Sequence, residues 1–184
     1  MSTLEQSPVK SGDAAAASTI LIVNGKTVKN DVQWIADEAE LPASGRISVS
    51  LTRWTKEQAA LEANAALDVG VRIANTVDLN TAWPQLASRQ RIELEFPAFG
   101  DGRAYSQARL LRERYSFRGE IRALGAAVVL DQARELLRCG VNAFALRDDQ
   151  KTEGFLEQLT KADSTPWYQT PIGAARPGFL RRAG

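Results

Sequence analysis

Arginine is concentrated in one stretch of this chain, between Phe96 and Arg122. The stretch holds six arginines, Arg103, Arg109, Arg112, Arg114, Arg118 and Arg122, against three acids, Asp101, Glu113 and Glu120. This local excess of positive charge stands in a chain whose formal net charge is only +1. Because a guanidinium binds sulfate, phosphate or carboxylate oxygens through paired donors, the stretch predicts a local site for a small oxyanion.

Asp101, Gly102 and Arg103 form the centre of this candidate site. They lie between a predicted strand that ends at Phe96 and a predicted helix that begins at Arg103. In parallel α/β sheets, ligands bind beyond the carboxyl ends of the strands, close to the free amides of helix N-termini. Asp-Gly is also a common turn and Asp101 is also a suitable helix cap, so a purely structural interpretation stays open.

Neighbouring polar residues are expected to complete an anion-binding rim. The candidate ligand-binding residues are Asp101, Gly102, Arg103, Tyr105, Ser106, Arg109, Glu120, Arg122, Asp131 and Gln132. The arginines would hold the anion, and Tyr105 or Asp101 would handle protons. A structural role stays open for two parts of this set. Arg109 could instead belong to a solvated helix face, and Asp131-Gln132 could instead cap a helix.

Several classes of chemistry are excluded by residues that the chain lacks. It has no histidine, and Cys139 is its single cysteine, which excludes histidine triads, CxxC redox pairs and His/Cys zinc clusters. Tyr105 occupies the position of the third glycine in a dinucleotide fingerprint that would begin at Gly100. We therefore predict no metal site and identify no cofactor, although a carboxylate-held Mg²⁺ stays open. We expect Cys139 to be a buried small residue.

The overall composition is that of a globular protein, with 44% hydrophobic and 24% charged residues. Its near-zero net charge gives no general attraction to nucleic acid or membrane surfaces. No apolar run approaches the roughly 20 residues that span a bilayer, and one unpaired cysteine fits a reducing compartment. We expect a cytoplasmic protein that binds neither nucleic acid nor membranes.

The elements that would position the candidate site follow a regular alternation. Five predicted strands are each followed by a helical pattern: Ile47–Leu51, Val69–Ile73, Ile92–Phe96, Glu120–Leu124 and Ala143–Leu146. This predicts an α/β fold of about five parallel strand–helix units. We expect Thr55 and Gln58 to form a capping box that opens the first helix.

The strands alternate between apolar and charged residues, which favours a partial TIM-barrel-like sheet with helices on one face. The alternative, a doubly wound open sheet, would have to bury Glu93, Glu95 and Arg122 as ion pairs, which is costly. Five units do not close an eight-stranded barrel. The concave face is therefore either open, or covered by other segments of the chain, or covered by a second copy in a homodimer.

The domain boundaries follow from composition. Residues 1–19 are expected to be a disordered tail, residues 20–173 one α/β domain, and residues 174–184 a disordered basic tail. Asn24-Gly25 predicts a type I′ hairpin at the start of the domain, and Gly140 is expected to end the fourth helix.

A family resemblance adds a functional context. The run Phe96–Arg112, the segment Gly119–Gly125, Asp131-Gln132 and the segment Arg138–Gly140 together resemble a bacterial family of unassigned chemistry. Its members are encoded beside assimilatory sulfite reductase genes and are commonly described as probable oxidoreductases involved in sulfite reduction. The chain departs from that pattern at Ala126–Leu130, where the family usually carries an acid and an arginine.

The resemblance implies an accessory protein or oxidoreductase component of assimilatory sulfite or sulfate reduction. Its partners would be a small oxyanion and sulfite reductase or another sulfur-assimilation protein. A non-catalytic docking or scaffold module for the reductase complex is the alternative. A third hypothesis, a barrel-type lyase or isomerase, would use Glu93, Arg122 and a bound Mg²⁺.

Overall fold

The computed structural model describes residues 20–164, which contain eight strands and five α-helices. The strands are β1 (Ile20–Val23), β2 (Lys26–Lys29), β3 (Gln33–Trp34), β4 (Gly45–Ser50), β5 (Leu67–Ile73), β6 (Arg91–Glu95), β7 (Glu120–Leu124) and β8 (Ala143–Leu146). The helices are α1 (Leu51–Ala63), α2 (Leu79–Leu86), α3 (Arg103–Glu113), α4 (Ala133–Arg138) and α5 (Thr152–Ser164). The predicted tails and residues 165–173 lie outside this range.

All eight strands form one sheet in the order β2-β1-β8-β7-β6-β5-β4-β3. From β3 to β8 neighbouring strands are parallel, while β1 pairs antiparallel with both β2 and β8. Parallel strands β4 to β8 follow one another in chain order, so every crossover advances the sheet in the same direction. Right-handed crossovers therefore place the helices on one face, and the predicted α/β partial barrel is confirmed over the doubly wound alternative.

The sheet is curled, and the length of one connection shows how strongly. Strands β2 and β3 form opposite edges of the sheet, yet only residues 30–32 connect them. In a flat sheet these edges would be roughly 34 Å apart, at about 4.8 Å per strand spacing. The chain from Lys29 to Gln33 reaches at most about 14 Å. The sheet therefore forms a half-barrel, and Asn30, Val32 and Trp34 face its concave side.

The core lies between the convex face and the helices. Alternate strand residues such as Val71, Leu94 and Ile121 are fully buried there, and they meet Trp54 of α1 and Phe155 of α5. This explains the apolar half of each strand's alternating pattern, since one face of the sheet packs on helices. No helix in residues 20–164 has the length and apolarity needed to cross a bilayer.

Most element predictions are confirmed, with one correction. The hairpin turn has positive φ angles at Asn24 (48°) and Gly25 (74°), and Gly140 ends α4 at φ 96°. Helix α1 does not begin with a capping box at Thr55. It follows β4 without a loop, and the Ser50 hydroxyl accepts the Arg53 amide at 2.9 Å, which leaves Thr55 inside the helix.

Candidate functional site

A row of charged side chains crosses the concave face of the half-barrel. The registers of β5, β6 and β7 place Arg72 beside Glu93, and Glu93 beside Arg122. Laterally paired residues of parallel strands point to the same face, so one carboxylate stands between two guanidinium groups. We call these three residues the bore row.

Glu93 is the centre of the bore row and is only 1% exposed. Its Oε2 accepts hydrogen bonds from the Ser48 hydroxyl at 2.7 Å and from Arg72 Nε at 3.3 Å. Its Oε1 lies 3.5 Å from Arg91 Nε and 3.6 Å from Arg122 Nη1, and it has no hydrogen bond in the described part of the chain. The sequence interpretation treated burial of this residue as costly and as a feature of the alternative fold. The half-barrel buries it nonetheless, because three arginines neutralise its charge.

Arg91 closes the cluster toward the amino ends of the strands. Its side chain crosses β5, and its Nη2 donates to the carbonyl oxygens of Asp68 on β5 at 3.0 Å and of Ile47 on β4 at 2.7 Å. A Cβ atom at Gly70 would lie 2.4 Å from Arg91 Nε. The glycine in the middle of β5 is therefore required for this arginine to reach its acceptors.

Arg122 is 2% exposed, and not all of its N–H donors make hydrogen bonds within the described residues. Its Nε donates to Glu120 Oε1 at 2.8 Å, and its Nη1 reaches Asn30 Oδ1 at 3.4 Å. Its Nη2 lies 2.7 Å from the same Glu120 oxygen but outside hydrogen-bonding geometry, and it has no hydrogen-bond partner among residues 20–164. A buried guanidinium with an unsatisfied donor is suited to an incoming acceptor.

A cavity of about 470 Å³ lies between the bore row and the segment of residues 30–34. We call it the bore cavity. Its polar wall consists of Arg72, Glu93, Arg122 and Asn30, and the Arg72 guanidinium stacks on Trp34 at 4.0 Å from the ring centroid. Only the Nε atom of Arg72 has a hydrogen-bond partner within the part of the chain that the structure describes.

The remainder of the bore cavity is apolar, and its mouth is charged. The apolar wall consists of Val32, Leu124, Gly125, Ala126 and Ala145. At the mouth, Arg147 donates to Asp149 at 2.7 Å and to the Ala126 carbonyl at 3.1 Å. The cavity therefore has the guanidinium groups of Arg72 and Arg122 on one side and hydrocarbon on the other.

The predicted rim has a different character. Arg103 binds Asp101 through Nη2 at 2.6 Å and Nε at 3.0 Å, and Asn75 donates to the same carboxylate at 2.7 Å. Hydrogen bonds from the Arg103 side chain and backbone hold the pKa of Asp101 well below its usual range. The Arg103 side chain is 59% exposed, so the pair is a solvated ion pair whose remaining guanidinium donors face water.

The other predicted site residues are distributed over several places. Tyr105 donates to Gln132 at 2.5 Å, and burial raises the pKa of Tyr105 to about 12, so neither it nor Asp101 titrates near neutrality. Ser106 and Asp131 are exposed, and Arg109 pairs with Glu113 at 3.1 Å as on a solvated helix face. Gly102 precedes α3 at φ −84°, a conformation open to any residue. Glu120 and Arg122 alone reach the concave face.

The structure brings forward residues that the predicted site did not include. Arg72, Trp34, Asn30 and Arg147 line the bore cavity, and Glu93 entered only the lyase hypothesis. The available signal was the charged half of the strand alternation. The bore row joins residues that lie 21 to 50 positions apart, so the sequence does not show that they are neighbours. The charges of the long β6–α3 connection are contiguous and therefore easier to recognise.

The structure also bears on a possible Mg²⁺ site and on Cys139. Among residues 20–164 no group of three or more acidic or cysteine side chains is arranged to hold a metal ion, and three arginines around Glu93 would repel a cation. Cys139 is 2% exposed and burial raises the pKa of its thiol to about 11, which confirms it as a buried small residue.

Comparison with known proteins gives a family and no activity. No curated protein matches the chain. The sequence profile of a family described as "Bacterial protein of unknown function (DUF934)" matches residues 70–179, which include the bore row and the rim. The chain therefore belongs to this bacterial family.

Proposed function

We propose that the bore cavity binds a small oxyanion-bearing ligand and that this binding serves sulfite assimilation. The protein would act as an accessory protein or as an oxidoreductase component of sulfite or sulfate reduction. The pathway assignment draws on the family resemblance of the Phe96–Arg112 run.

The observation that carries the proposal is the state of the two guanidinium groups at the cavity wall. Arg72 uses one of its nitrogens, and Arg122 Nη2 is buried without a hydrogen bond within residues 20–164. A buried charged donor without a hydrogen bond is costly, as at Arg122. The Arg72 side chain is 17% exposed, and an oxyanion in the cavity can accept from its guanidinium as well. Their attraction acts in a poorly solvated site, where it is stronger than at an exposed surface.

Glu93 gives the site selectivity under this proposal. Its buried carboxylate lies between the two guanidinium groups and would repel an anion that approached too closely. The head group of the ligand is therefore expected to contact the guanidinium groups rather than the Glu93 carboxylate.

A docking role for the protein is a second candidate, and exposed apolar side chains favour it. Phe99 is 63% exposed in the connection after β6, and Leu130 is 37% exposed in the connection after β7. Strands β6 and β7 are parallel neighbours, so both residues lie beyond the carboxyl ends of the strands. Sulfite reductase is the expected partner for this surface.

Calorimetric titration with sulfite tests the binding proposal. We expect Arg72→Gln to weaken sulfite binding about tenfold or more, the loss typical of a charged hydrogen bond. The matched rim variant Arg103→Gln should bind like the wild type. Equal affinity of wild type and Arg72→Gln would contradict the assignment of the site.

A native mass spectrum separates the two forms of the proposal. An added mass equal to a flavin or another redox group would support an oxidoreductase component. A bare polypeptide mass, with co-purification of sulfite reductase that Phe99→Ser abolishes, would support the accessory role.

A further inference from the structure

The bore cavity is much larger than an inorganic oxyanion. Sulfite has four non-hydrogen atoms, and at roughly 30 Å³ for each water-sized group it fills about 120 Å³. The cavity measures about 470 Å³, which is room for about 15 such groups. Most of its volume is therefore left over after an inorganic ion has bound to the arginines.

The surplus volume has a defined chemistry. The side of the cavity away from Arg72 and Arg122 is formed by Val32, Leu124 and Ala145, with Gly125 and Ala126 beside them. Leu124 is 8% exposed, so this wall is part of the packed sheet and not a surface patch. Water against such a wall is readily displaced by hydrocarbon.

The two sides face each other across one space because of the strand register. Arg122 and Leu124 are two residues apart on β7, so both point into the concave side. Ala145 on β8 adds only a methyl group, which keeps the space beside Leu124 open. A ligand that reached the guanidinium groups with one end would place its other end on hydrocarbon.

We infer that the physiological ligand is an organic anion, in which a sulfonate or carboxylate head is joined to an apolar body of a few to about ten carbon atoms. The inference rests on the proposed anion site and names the class of molecule that fills it. Inorganic sulfite would occupy only the polar end of the cavity.

A chain-length series tests this inference with probes of constant charge. Sulfite, methanesulfonate, propanesulfonate and hexanesulfonate are titrated into the full-length protein by calorimetry. Each buried methylene should tighten binding about fourfold until the apolar wall is covered. Sulfite binding with no gain along the alkyl series would overturn the inference and leave the anion site standing. If no member of the series binds, the proposed function fails as well.

Two variants of the apolar wall locate the effect. Ala145→Leu should abolish the gain with chain length, because the larger side chain fills the hydrocarbon side of the cavity. Ala126→Leu makes the same test at an exposed position, where a fold defect is not expected. A chain-length gain that persisted in both folded variants would contradict the inference.

Discussion

The bore row and the rim both join arginine to a carboxylate, but they differ in burial. In the bore row Glu93 is 1% exposed and lies near three arginines, with contacts of 3.3 to 3.6 Å. At the rim Arg103 is 59% exposed and closes on Asp101 at 2.6 Å. The remaining donors of Arg103 face water, whereas the bore row has longer contacts and a buried donor without a hydrogen bond. A buried charged group with an unsatisfied donor can gain a hydrogen bond from a ligand, whereas a solvated ion pair has less to gain.

The largest difference is expected when the carboxylates are removed. Glu93→Leu leaves the surrounding arginines buried without their counter-charge and should lower the free energy of unfolding by about 4 kcal/mol. Asp101→Asn at the rim should have a much smaller effect, because its partner Arg103 is solvated. Urea denaturation measures both. Similar losses in the two variants would remove the distinction between the regions.

Arginines within α3 should differ in the same way. Arg112 donates to the carbonyl oxygens of Phe117, Gly119 and Gly140 at 2.7 to 2.9 Å, and burial lowers its pKa to about 10. Arg112→Met should cost about 3 kcal/mol, since it leaves carbonyl groups unpaired. The matched variant Arg109→Met removes a solvated pair and should stay within about 0.5 kcal/mol of the wild type. Thermal and urea unfolding measure both variants, and similar losses would show that Arg112 is solvated like Arg109.

Glycines give a smaller contrast. Gly70→Ala places a Cβ against Arg91 and should cost about 2 kcal/mol, because Arg91 loses its carbonyl acceptors. Gly102→Ala meets no atom within 4 Å and should change stability by at most about 0.5 kcal/mol. Equal stability of the two variants in urea would mean that Arg91 can leave β5 at no cost.

The smallest effect concerns the pH dependence of the rim. The pKa of Asp101 is lowered in the folded state, so its contribution to stability is present above its unfolded pKa of about 3.9 and is lost as the pH falls below that value. Arg103→Gln should move the pKa of Asp101 back toward 3.9, with no change in stability at pH 7 beyond that of an exposed pair. Carboxyl NMR titration of both proteins measures the shift. An unchanged pKa would show that Arg103 does not hold Asp101 in solution.

The fold could be predicted from the sequence to a useful degree, and particular residues show where prediction ended. Alternation in Val69–Ile73 and Ile92–Phe96 was sufficient for a parallel sheet with one charged face, because side-chain direction in a strand is a local property. Closure of the half-barrel by residues 30–32 was not predictable. That segment has no periodicity, and its position depends on the curvature of the whole sheet.

The candidate site was harder to predict for a related reason. The Asp101–Arg103 loop is contiguous in sequence and therefore conspicuous, but its two charges bind each other. The bore row depends on the lateral register of three strands, and register follows from packing between distant segments. The predicted site includes Arg122 but not Arg72, which lies on β5, far in sequence from the Asp101–Arg103 loop.

Locating a bound anion would distinguish the bore cavity from the rim. A crystal soaked with selenite, an analogue of sulfite with an anomalous signal at the selenium edge, would show its position without reference to activity. We expect the selenium peak in the bore cavity, with oxygens within hydrogen-bonding distance of Arg72 and Arg122. A peak beside Arg103 with an empty bore cavity would contradict the account and return the site to the rim.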